Sequence, residues 1–326
     1  MANNMFTVSR LTKTILIVAA FLPLPAAAQS YPTKPIRTVI ALGGGAEVLA
    51  RLVAQRAGDA LGQPIIVESQ SAAGGAIGAQ MVARSAPDGY TILFAATNSQ
   101  VWHVFLARST PYDPVKDFTP ITKIGEALLC VVASNAFPVN SMKELVDYAR
   151  RNPGKVSYGT SGVGTTHHLS GELIKQIAGI DMVHVPYKGG AQVLTDVVAD
   201  RIPVAFSILA TADSLLKAGK MKLLAVNNAR RSPLLPNVPT ISEQIPGYES
   251  PPGWMGYFAP AGLPQPVLRR LHGELVKALN HPEVRSKSED MGFLIGTSTP
   301  EEFAAQIRHD LDLAGKIVKA SGIQPE

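Results

Sequence analysis

Four glycine-rich stretches carry the residues of this 326-residue chain best suited to hold a small charged molecule: ALGGGAEVLAR (41–51), SQSAAGGAIGA (69–79), GTSGVGTTHHL (159–169) and YKGGAQVLTD (187–196). A helix start offers unpaired N–H groups and the positive end of the helix dipole. Glycine lets the backbone approach a ligand closely, so each joint is a potential anion seat. Four seats converging on one cleft suit an anion with several carboxylates. The plain alternative is that the glycines only make tight turns.

Other chemistries fail on spacing. No G-x-x-x-x-G-K-[ST] occurs, and Gly159, Gly162 and Gly164 give G-x-x-G-x-G instead of G-x-G-x-x-G, so a nucleotide loop is not expected. Ser161 is not a nucleophile elbow, since G-x-S-x-G would need glycine at Val163. A secreted α/β hydrolase using Ser161 and a histidine stays as the alternative of another class. His167 and His168 do not read as metal ligands, because adjacent helical residues point about 100° apart and cannot easily chelate one ion. One of them, with His168 preferred, is expected to donate a hydrogen bond to a bound carboxylate while the other packs. Trp102 and His103 follow the polar turn Thr97-Asn98-Ser99 and are either packed or stacked on a ligand. Cys130, the only cysteine, sits in ALLCVVA and reads as a buried, inert thiol.

Short β-branched runs alternating with helical ones must position these joints. IRTVIA, PIIVES and YTILFAA read as strands around the helices EVLARLVAQRAGDAL and AIGAQMVARS, the βαβαβ grammar of a parallel sheet. Ser141 and Glu144 predict a capping box before ELVDYARRN. KVSYGTS, MVHVPY, PVAFSIL and KLLAVNNA are strands separated by THHLSGELIKQIAG, AQVLTDVVAD and ADSLLKAG, with Gly179 ending the first of these helices. A proline-rich stretch, 232–262, interrupts the alternation. Thr299, Pro300 and Glu302 open a last amphipathic helix. Two α/β units joined by extended segments near Phe118–Ala133 and Gly253–Pro260 predict two lobes with a cleft between them. Ligands of such sheets sit beyond the carboxyl ends of the strands.

The N-terminus carries Arg10 and Lys13, an apolar run from Thr14 to Pro25 and Ala26-Ala27-Ala28, the order of a secretory signal, with cleavage expected after Ala28. As a membrane anchor the run is too short. Its removal lowers the formal charge from +5 to +3, spread without any Lys/Arg block, which excludes the electrostatic footprint of a nucleic-acid partner. With 46% hydrophobic residues and a single cysteine, an exported chain of this size must stand on its core without a disulfide.

Motifs along almost the whole mature chain resemble the Bug-type extracytoplasmic solute receptors of tripartite tricarboxylate transporters: YPTKPI, IGA, APDGYTILFA, PYDPVKDFTPI, YGTSGVGTTHHLSGEL, DMVHVPYKGGAQVLTD, RRSPLLPNVPTISE and GYFAPAGLP, in that order. The resemblance implies a periplasmic two-lobed binding protein of type II-like α/β fold, each lobe a mainly parallel sheet flanked by helices. Lobe 1 would comprise 29–128 with 254–326, and lobe 2 would comprise 129–253. It implies a monomer without catalysis or cofactor that takes up a small carboxylate and delivers it to membrane permease subunits. Carried over onto this chain, the site comprises Gly43, Gly44, Gly45, Ala46, Gly74, Gly75, Asn98, Ser99, Ser161, Gly162, Gly164, Thr165, His168 and Ser207. The first joint, which in that family reads like P-G-G-S-T-D, here lacks two hydroxyls. Ser207 stands where many relatives carry an aspartate, which implies a purely anionic acid over an amino acid.

Overall fold

The computed structural model describes residues 31–42, 45–321 and 323. The expected signal segment, Gly43 and Gly44 lie outside them. The first βαβαβ unit forms as read: β1 (Ile36–Ile40), α1 (Gly45–Leu61), β2 (Ile65–Ser69), α2 (Ala76–Ala83) and β3 (Thr91–Ala96). A π-helical turn, Asn98–Trp102, leads into α3 (His103–Leu106), and β4 (Phe118–Ala127) completes this part of the chain.

Leu128 alone separates β4 from β5 (Leu129–Ser134), the first strand of a second sheet. There α4 (Met142–Arg151), β6 (Val156–Thr160), α5 (Thr166–Ala178), β7 (Met182–Pro186), α6 (Gly190–Val198), β8 (Val204–Ile208), α7 (Leu209–Lys217) and β9 (Met221–Val226) follow in turn. The proline-rich stretch contains the short α8 (Ile241–Gln244), and the chain returns to the first sheet at β10 (Trp254–Pro260). Helices α9 (Gln265–Leu279) and α10 (Pro282–Asp290), strand β11 (Phe293–Ile295) and helix α11 (Pro300–Ser321) close the sequence.

The first sheet has the order β11-β4-β10-β3-β1-β2 and the second β7-β6-β8-β5-β9. The expectation of mainly parallel sheets holds in strand direction: β1 to β4 run together while β10 and β11 oppose them, and in the second sheet only β5 opposes the rest. The ladders are nevertheless mixed, because β10 is wedged between β3 and β4, and β5 between β8 and β9. These reversed strands are the ones beside the two crossings between sheets, and a chain that enters a sheet from its neighbour need not satisfy the βαβ rule.

Each sheet is covered on both faces. In the first sheet, Ile36 and Ile40 pack with Leu49 and Val53 of α1 and Leu271 of α9, while Val39 faces Val82 of α2 and Phe303 of α11. In the second, Val131 and Phe206 meet Leu145 of α4 and Ile174 of α5, and Cys130 lies fully buried with Val193 and Val197 of α6. Burial pushes the Cys130 thiol up to about 12, as an inert core thiol requires. Helix α11 bridges the halves: Ile307, Ala314 and Ile317 share one cluster with Leu169 of α5.

The caps explain the helix starts. Thr299 and Glu302 exchange the two bonds of a capping box, at 3.1 and 2.9 Å. Ser141 accepts from the Glu144 amide at 3.1 Å, but the Glu144 carboxylate reaches one residue further back and accepts from the Asn140 amide at 2.7 Å, so the predicted box closes on only one side. Gly179 ends α5 in the left-handed conformation.

Candidate functional site

The joint from β6 into α5 is held almost wholly by its own residues. Thr165 is the N-cap: its hydroxyl accepts from the His168 amide at 3.3 Å and donates to the Gly162 carbonyl at 2.8 Å. The Gly164 amide donates to His168 Nδ1 at 3.1 Å, which puts any ring proton of neutral His168 on Nε2. The ring lies buried and stacked on His184, with centroids 3.9 Å apart. His168 thus braces the loop, and its Nδ1 is not free for a carboxylate. Gly162 has φ 137°, open to glycine and strained for other residues, and a Cβ there would make only ordinary contacts.

His167, not His168, reaches the hydroxyl at the front of the loop. Its Nδ1 lies 3.2 Å from Ser161 Oγ. Burial pushes its pKa down to about 4, and the Ser207 backbone beside it pulls the other way, although no well-aligned hydrogen bond closes on Nε2. The sequence pairs the two histidines without separating them; only the turn that sends His168 back to Gly164 does so. Burial, with His168 as the next contributor, also lowers His184 to about 4, while Thr160 Oγ1 sits 2.7 Å from its Nε2. Ser207 on β8 is buried beside Gly190 at the start of α6, and its hydroxyl turns back to the Ile208 carbonyl at 3.3 Å.

On the first sheet, the joint after β2 makes a left-handed turn. Ala73, Gly74 and Gly75 have φ of 52°, 63° and 92°, and the Gly75 amide donates to the Ala72 carbonyl at 3.0 Å. A non-glycine residue in this conformation stores strain of about 1 kcal/mol or more, which here is carried by Ala73. Gly74 faces open space, whereas a Cβ on Gly75 would collide with the Ala41 carbonyl, so Gly75 is required by packing. Gly45 is the exposed first residue of α1, while the Ala46 methyl is buried in the core, leaving only its amide as a candidate contact. Asn98 is exposed. Ser99 is not: it is buried, its hydroxyl points to the Ala96 carbonyl, and its own carbonyl accepts from Tyr112 Oη at 2.6 Å.

A cavity of about 180 Å³ opens where the two sets of joints meet. That is roughly ten times what one water needs. Gly74, Asn98, Trp102, His103 and Leu106 line it from the first sheet's side and Val163 and Gly164 from the second's, with Ile323 beyond α11 closing an edge. Trp102 and His103, whose role the sequence left between packing and ligand contact, therefore both reach the cavity. Burial lowers the His103 pKa, and the described lining contains no lysine or arginine. Negative charge would be met here by amides and helix starts, without a cation. Among the described residues no cluster of His, Cys, Asp or Glu could hold a metal, and no helix is long and apolar enough to cross a membrane.

Comparison with known proteins agrees with this architecture. The model of the tripartite tricarboxylate transporter family receptor matches residues 49–323. A UPF0065 protein of Bordetella bronchiseptica is 34% identical over 323 residues, covering 98% of this chain and 96% of the relative. Among solved structures, R. palustris Rpa4515 with adipate is 32% identical, with a TM-score of 0.76 over 91% of this chain and 100% of that one. MatC (Rpa3494) from Rhodopseudomonas palustris, with bound malate, is 28% identical, with a TM-score of 0.70 over 88% and 100%. The resemblance legible in the motifs is thereby established, and the chain belongs to the tripartite tricarboxylate transporter receptor family.

Proposed function

We propose that this chain is an exported, monomeric receptor that closes two lobes on a small carboxylate and hands it to membrane permease subunits, without catalysis. The observation that carries this reading is that joints of both sheets meet at one cavity, with Gly74 and Asn98 on one side and Val163 and Gly164 on the other. The bound adipate and malate of the two relatives support a carboxylate as the ligand. The first joint, 43–46, and the loop Ser161–Thr165 would supply the amides. A ligand that contacts both halves favours the closed arrangement by its difference in affinity for the two states.

The lobes are 29–128 with 254–326, and 129–253. The hinge lies in the crossing segments near Phe118–Ala133 and Gly253–Pro260, where Leu128 alone parts β4 from β5 and Gly253 immediately precedes β10. Cleavage follows Ala28, leaving a periplasmic protein that begins at Gln29. The Ser161–His167 contact does not make a hydrolase of it. A histidine held at about 4 is a weak base at neutral pH, and among the described residues no carboxylate hydrogen-bonds to His167.

A thermal-shift screen over aliphatic di- and tricarboxylates, aromatic acids and amino acids tests the reading. A ligand at 100 times its Kd stabilises by about 2.7 kcal/mol. Stabilisation by carboxylates, with no turnover of an ester panel, is expected. Ester turnover that is lost in Ser161→Ala would overturn it in favour of the hydrolase.

A further inference from the structure

The family accommodates both an unsubstituted chain, adipate, and a hydroxylated acid, malate; the walls of this chain's own cavity separate the two. Leu106 comes from α3, Val163 from the loop before α5, and Ile323 from beyond α11, three points far apart in sequence. Trp102 lies between them, almost fully buried. Val163 is 53% exposed, an apolar side chain that the protein itself leaves half uncovered at the cavity. Ile323 packs against the cluster that holds Trp102 and Phe303 and forms part of the wall. Asn98, His103 and the backbone of Gly74 and Gly164 are polar groups of the described lining, and the buried indole Nε1 of Trp102 has no hydrogen-bond partner. Gly74, Asn98 and Gly164 stand at the joints, where a carboxylate would seat.

Resting on the carboxylate-receptor reading above, we infer that this site selects acids whose body is hydrocarbon, a methylene chain or an aromatic ring, and rejects their hydroxylated counterparts. Ile323, Val163 and Leu106 are the specificity-determining residues. The physical reason is the mismatch between a hydroxyl and an aliphatic side chain: a hydroxyl pressed against the side chain of Leu106, Val163 or Ile323 gives up its water and gains no hydrogen bond from that side chain. A methylene placed there gains from leaving water. The described lining holds no lysine or arginine to count carboxylates.

Paired acids of equal length and charge isolate the effect. Adipate is compared with galactarate, and hexanoate with gluconate, by isothermal titration of the mature protein. Each hydrocarbon acid is expected to bind at least about tenfold tighter than its hydroxylated partner. Val163→Asp is expected to weaken adipate at least about tenfold with the melting temperature unchanged, since Val163 stands at a half-exposed loop position. Ile323→Asp is expected to weaken adipate at least about tenfold with some loss of melting temperature, since Ile323 also packs on the cluster of Trp102 and Phe303. Equal or tighter binding of galactarate and gluconate overturns the selectivity while leaving a carboxylate receptor. Unchanged adipate affinity in both variants overturns the role of these walls. If none of the four acids, nor any member of the wider thermal-shift panel, binds, the receptor reading falls together with the selectivity.

Discussion

The indole Nε1 of Trp254 donates to Asp310 Oδ2 at 2.6 Å, tying the first residue of β10 to α11 where the chain re-enters the first sheet. Burial raises the Asp310 carboxyl to about 6, against the opposing pull of that hydrogen bond; His309 and Lys123 lower it slightly and Glu126 raises it. A carboxyl raised above its unfolded value of 3.8 favours the folded state below that value, and the advantage is lost as pH rises from about 4 to about 6. Asp310→Asn, which can still accept from Trp254, is therefore expected to be more stable than wild type at pH 8. The gain should be on the order of 2 kcal/mol, and the difference should largely vanish at pH 4. Urea unfolding at the two pH values checks this, and an equal difference at both would show that the charge is not the cause.

His167 and His184 work in the opposite sense. Both are depressed to about 4, chiefly by burial, so each contributes stability that is present above about 6.5 and is lost as pH falls toward 4. Wild-type stability should drop across that window, and His184→Gln, which keeps a partner for Thr160, should flatten part of the drop. Between pH 6 and 8 both rings stay neutral. Ligand affinity should be flat there, as measured by titration calorimetry in matched buffers.

Gly162→Val should weaken ligand binding with the overall fold retained. The cause is backbone strain at φ 137°, on the order of 1 to 3 kcal/mol, and not a clash, since a Cβ there meets Tyr187 and Thr165 only at ordinary contact distances. Circular dichroism with calorimetry separates the two effects. Wild-type affinity in Gly162→Val would remove this loop from the ligand.

Thr165→Ala removes the cap of α5 and, with it, the bond that holds the Gly162 carbonyl. A loss of about 1 kcal/mol in unfolding free energy is expected. Binding should weaken as well, because the same hydroxyl shapes the loop. If Thr165→Ala changes neither, the hydroxyl is dispensable.

Closure is open to scattering. In the present arrangement Gly164 of one half lies against Leu106 of the other, where a Cβ would come within 3.1 Å of the leucine methyl. A saturating acid should reduce the radius of gyration of the mature protein. No change on saturation would count against a clamp.

What the sequence determined by itself is local. The first βαβαβ unit, the four glycine joints, the cap of the last helix and the stop at Gly179 follow from residues within about four positions of one another, the range of a turn or a cap. The family motifs are equally a matter of order along the chain. What only the tertiary structure decided depends on where distant segments arrive. His168 rather than His167 turned back to brace the loop, Ser99 turned inward under Tyr112, and Gly75 proved necessary for the close approach to Ala41. β10 and β5 were inserted against the direction of their sheets. The cavity walls from Leu106, Val163 and Ile323 were invisible in the sequence, and Trp102 stood open between packing and ligand contact, for the same reason: an apolar residue reads alike whether it faces a core or a cleft, and only the packing of elements far apart along the chain leaves one side of it uncovered.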